Sequence, residues 1–82
     1  MNTPTIDVLR IQEEDLIEER KQLDAEIQQV QQQITENSGF IKSFVNYSKV
    51  QKLDQKRHEL MKKLKENARL LAEIRAKIEA LS

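Results

Sequence analysis

Apolar residues recur every seven positions on both sides of Gly39, the single glycine of the chain. Before it, Leu9, Leu16, Leu23 and Val30 form one series, interleaved with Ile6, Ile27 and Ile34. After it, Val50, Leu64, Leu71 and Ile78 form a second, interleaved with Leu53, Leu60, Ile74 and Leu81. Spacing that alternates between three and four residues marks the a/d seam of a coiled coil. Two such seams separated by a glycine predict an all-α fold, an antiparallel coiled-coil helical hairpin, as one domain over residues 1–82.

Start and stop signals place the helices at about 5–37 and 49–81, with a tip over 38–48. Thr3 or Thr5 can accept from the first free N–H groups, and Pro4 suits a first helical position. Glu36-Asn37-Ser38-Gly39-Phe40 reads as the first stop, the glycine supplying a left-handed cap and Phe40 an apolar contact to the last turn. Ser48-Lys49-Val50-Gln51 fits a capping box for the second helix. A helix from Thr5 to Asn37 would be roughly 50 Å long at about 1.5 Å per residue.

Apolar residues outside the seams carry the first functional expectations. Val8, Ile11 and Ile17 widen the stripe of helix 1, and Leu70, with the flanking alanines Ala68, Ala72 and Ala76, widens that of helix 2 beside its seam residues Ile74 and Ile78. The residues concerned are Val8, Ile11, Ile17, Leu70, Ile74 and Ile78. A face wider than a/d predicts an oligomer interface through these six residues, most simply a homodimer forming a four-helix bundle. The tip gathers every aromatic residue, with Phe40, Ile41, Phe44, Val45 and Tyr47 expected either to plug the open end of the hairpin or to form a partner-binding surface.

Two registers satisfy the seams. A tight one sets Val30 against Val50, Leu16 against Leu64 and Glu13 against Asn67. A wider one sets Ile34 against Leu53, Leu23 against Leu64 and Arg20 against Asn67; it fills one more apolar layer, agrees with a cap at Ser48 and is the expected register. Glu13, Arg20, Arg57 and Asn67 fall on seam positions, where a polar side chain costs stability but fixes register.

Charge makes that choice matter. Residues 1–40 hold nine acids and three bases, a net of −6, and residues 41–82 hold eleven bases and five acids, a net of +6. The tight register sets Asp15 and Glu18 level with Lys65 and Lys62, so that the hairpin neutralises itself. The wider one leaves the basic stretch largely opposite the uncharged run Gln28 to Gln33. No acid occurs from Asn37 to Leu53, where Lys42, Lys49 and Lys52 alternate with aromatics and lead to Lys56 and Arg57. Cations interleaved with rings suit phosphate contact and base stacking, so these five bases are candidate nucleic-acid contacts.

Catalytic chemistry finds little support. Cysteine is absent and His58 is the single histidine, which leaves no thiol and no histidine pair for nucleophile–base or thiolate–metal chemistry. A single glycine cannot build a phosphate-cradling loop. The expectation is a protein that is not an enzyme, without cofactor, metal site or small-molecule substrate. No apolar run approaches the ~20 residues that span a bilayer, and no hydrophobic signal segment opens the chain, so no membrane association and a cytoplasmic location are expected.

Through Asn37-x-x-Phe40 followed by a basic helix, the turn resembles the coiled-coil arms appended to valyl-tRNA synthetases and to some ABC-F ATPases. The resemblance covers the turn alone, and the Ala-Pro found before the second helix in those arms is missing here. The expected function is a coiled-coil interaction protein, an adaptor, small chaperone or assembly factor that associates with itself and with another protein. The alternative is a nucleic-acid-binding hairpin.

Overall fold

The computed structural model describes residues 5–38 and 44–82, which form two long helices, α1 (Ile6–Ser38) and α2 (Phe44–Leu81). Thr5 caps α1, its Oγ1 accepting from the Val8 amide at 3.3 Å while its carbonyl accepts from Leu9 at 3.1 Å. A side-chain oxygen three residues ahead of the amide it satisfies is the N-cap geometry. Thr3, Pro4 and the glycine cap at Gly39 lie outside the described residues.

α2 starts five residues before the expected position 49, so Ser48 and Gln51 lie inside a helix rather than at its cap. Nothing from residue 44 to 48 breaks a helix, and each residue added to an existing helix gains a backbone hydrogen bond. The expected tip over 38–48 therefore contracts, and Tyr47 belongs to the opening turns of α2.

The helices pack against each other as an antiparallel hairpin, 61 Å long and 16 Å across. Side-chain bonds between them give the register. Arg57 Nη1 donates to Gln31 Oε1 at 3.1 Å, Arg75 Nε to Glu13 Oε2 at 3.0 Å, and Asn67 Nδ2 to Glu19 Oε1 at 3.4 Å. Each pair lies within one residue of the wider register, in which Ile34 faces Leu53 and Leu23 faces Leu64. The apolar packing agrees, with Ile27, Ile34, Leu53 and Leu64 gathered on buried Leu23, Val30 and Leu60.

Burial follows the seam. Leu9, Leu23, Val30, Leu60 and Leu71 are buried, and the remaining seam residues from Ile6 to Ile78 are half-buried with few exceptions. Full burial of each such side chain contributes about 1.5–3 kcal/mol, so this narrow line supplies most of what holds the helices together. The radius of gyration is 18.3 Å, against about 12 Å for a compact domain of this length. Among the described residues there is one layer of contact, α1 on α2, and no second.

The polar seam residues separate into three kinds. Asn67 is 1% exposed, and its Nδ2 donates to the Leu16 carbonyl at 2.9 Å as well as to Glu19. Glu13 and Arg57 are half-buried and paired at the edge of the seam. Arg20 is exposed and leaves the seam, because its long stem lets the guanidinium reach water. Asn67 therefore meets Leu16 and Glu19 rather than the expected Arg20.

Candidate functional site

The basic side of the hairpin is built by α2. Arg57 donates to Asp54 at 2.6 Å and to Gln31 across the seam, and His58 Nδ1 lies 2.9 Å from the Asp54 carbonyl oxygen. Farther along, Arg69 bonds Glu66 three residues before it and Glu73 four after, the spacing that makes helical side chains neighbours. Its hydrogen bond holds the Glu66 carboxyl below the ordinary carboxylate range, and Glu66 in turn raises the Arg69 guanidinium. Both side chains are exposed, so this ladder stiffens α2 without anchoring it to α1.

By contrast, Lys49, Lys52 and Lys56 are exposed and make no ion pair with another described residue. Their spacing of three and four places them on one stripe of α2. In the wider register they lie level with residues 38, 35 and 31 of α1, a stretch that carries one acid, Glu36. Arg57, expected to join them, is held by Asp54 and Gln31 instead. Lys42 lies outside the described residues.

The aromatic tip is only partly visible. Phe40 and Ile41 lie outside the described residues, as do the side chains of Phe44 and Val45, although both belong to α2. Tyr47 is 58% exposed on the helix surface.

The six residues of the expected oligomer interface are spread around the rod rather than gathered. Ile74 and Ile78 are half-buried seam residues. Ile17 follows the seam residue Leu16, on the flank where Arg75 meets Glu13 and Arg57 meets Gln31. Leu70 precedes the seam residue Leu71, on the opposite flank where Asn67 meets Glu19. Val8 (44% exposed) and Ile11 (59%) are three residues apart on the outer surface of α1. Turns of 100° per residue produce this scatter: one position past the seam on one helix and one position before it on the other lie on different sides of an antiparallel pair.

Sequence reasoning passed over Met61, a large apolar residue 52% exposed near the midpoint of α2. It shares a heptad position with Tyr47 and Ala68, a signal that was present in the spacing.

Among the described residues no group of three or more His, Asp or Glu side chains is placed to hold a metal ion. Neither described helix is long and apolar enough to cross a membrane. No family model matches the chain, and comparison with characterised proteins and with solved structures gives no significant match.

Proposed function

We propose that this chain is a non-enzymatic coiled-coil interaction protein, an adaptor, small chaperone or assembly factor that works by associating with itself and holding a partner protein through its helices. The observation that carries this reading is the apolar surface that a single seam leaves uncovered: Val8, Ile11, Tyr47 and Met61 outside it and Leu81 at its end are all exposed large hydrophobics on a rod only two helices wide. Two helices have no further layer to cover these side chains, and in helical proteins such surface is covered by additional helices. A dimer forming a four-helix bundle is the economical arrangement. Sedimentation equilibrium at micromolar concentration is expected to give twice the 9.7 kDa chain mass; a monomer across that range contradicts self-association.

A second reading, nucleic-acid binding, is favoured by the stripe Lys49, Lys52 and Lys56, exposed and without an ion pair among the described residues, beside exposed Tyr47. Three lysines on phosphates release counterions, and each contributes about 0.7 to the salt slope on a single strand. Changing all three to glutamate is expected to flatten the slope by about 2 and weaken binding to a single-stranded oligonucleotide. An unchanged slope, or no binding by the parent chain, rules this reading out.

A further inference from the structure

We infer that the partner on the rod is a second copy packed antiparallel along the edge of α2 that carries Tyr47, Met61 and Ala68, the twofold axis passing close to Met61. This rests on the self-association reading and adds its face and its direction.

Area is the first argument. The hairpin exposes 6708 Å² at 9.7 kDa, whereas a compact monomer of that mass exposes about 5,100 Å². The excess, roughly 1,600 Å², exceeds the ~800 Å² that each partner contributes to a standard stable interface. One copy laid lengthwise along another is the arrangement that recovers such surface from two rods.

Charge gives the direction. Divided into thirds along its length, the rod is graded. Residues 27–57, nearest the turn, hold five bases and two acids, a net of +3. Residues 17–26 and 58–70, in the middle, hold six of each, a net of zero. Residues 1–16 and 71–82, at the open end, hold six acids and three bases, a net of −3. A parallel copy stacks like charge on like at both ends. An antiparallel copy sets +3 against −3 at both ends and neutral against neutral between. Salt screens these terms within about 10 Å, so they select orientation while apolar burial supplies affinity.

The edge itself is symmetric about its centre. Tyr47 and Arg75 stand fourteen residues either side of Met61, and Asp54 and Ala68 seven either side. A twofold axis there brings Met61 onto its own copy, Ala68 onto Asp54, and the exposed Tyr47 ring towards the Arg75 guanidinium, a favourable cation–π pairing. The charges on this edge are already partnered within the hairpin, Asp54 by Arg57 and Arg75 by Glu13. On the opposite edge, Lys49, Lys56, Lys63 and Lys77 share one heptad position with Leu70, so an antiparallel copy would press lysine on lysine.

The chain has no cysteine, so single cysteines report on this packing directly. Met61→Cys, at an exposed site, is expected to form a disulfide dimer on mild oxidation. A mixture of Tyr47→Cys and Arg75→Cys chains is expected to give the mixed disulfide in excess over either self-linked product. A chain that sediments as a dimer, but whose Met61→Cys variant stays unlinked or whose Tyr47→Cys variant links to itself, overturns the antiparallel packing and leaves self-association standing. A chain that sediments as a monomer overturns both.

Discussion

Leu60→Ala is expected to destabilise the hairpin by about 2–5 kcal/mol, the cost of removing a buried leucine and leaving a cavity. Leu60 is buried in one cluster with Leu23 and Val30, and half-buried Ile27, Ile34, Leu53 and Leu64 pack against that cluster. A globular domain shares such a loss among many layers, but here one seam joins the two helices. At roughly 4–8 °C per kcal/mol for a chain of this size, the melting temperature followed by circular dichroism falls by about 10 °C or more. Lys62→Ala, two residues away on the exposed surface, is expected to stay within about 0.5 kcal/mol of the parent. Equal effects from the two would mean that Leu60 is not in the seam.

Asn67→Asp is expected to cost a similar amount, about 3–5 kcal/mol at neutral pH, because it leaves an uncompensated charge in a buried place. The asparagine donates its amide hydrogens to the Leu16 carbonyl and the Glu19 carboxylate. A carboxylate there has no hydrogen to give, faces two acceptors and is out of water. Burial and the Glu19 charge both favour its neutral form, so its folded pKa lies above its unfolded one. Stability is therefore retained below the unfolded pKa, where the new acid is protonated and can donate to Leu16, and is lost as pH rises through the folded pKa. Melting curves of variant and parent should converge on acidification and separate towards neutral pH. A loss that stays constant with pH would mean that position 67 is solvated.

The same side chain shows how much of the fold was legible in the sequence. Seven-residue spacing of Leu9 to Val30 and Val50 to Ile78 was enough to give two helices and their antiparallel pairing, but it admitted two registers, and the bonds of Arg57, Arg75 and Asn67 across the hairpin select the wider one. Spacing of that kind records what must be kept from water, and burial is what closes this hairpin. Spacing did not give the partner of Asn67, because a short amide reaches a backbone carbonyl and a glutamate one turn away, while long Arg20 escapes to solvent. Nor did it give the start of α2, where the capping box at Ser48 was a plausible local signal overridden by helix propagation through residues that contain no breaker. Of the candidate surfaces, the lysine stripe was legible as spacing of three and four in a run without acids. The six base residues share one end of the rod, and their angles around it follow from the turn per residue rather than from their number. Met61 went unnoticed for a different reason: it directly follows the seam residue Leu60, and only its heptad alignment with Tyr47 and Ala68 gives it meaning.

Register is the claim on which the rest depends, since it sets Arg57 beside Gln31, Asn67 beside Glu19 and Arg75 beside Glu13. Paired cysteines test it most directly, because a disulfide forms only between residues whose Cα atoms approach to about 4.4–6.8 Å. One chain carries Ile34→Cys with Leu53→Cys, facing residues in the wider register, and the other carries Val30→Cys with Val50→Cys, facing residues in the tight one. The expected result is an intramolecular disulfide in the first chain and none in the second. A disulfide in the second chain and none in the first would contradict the structure and return the basic stretch of α2 to the acids of α1.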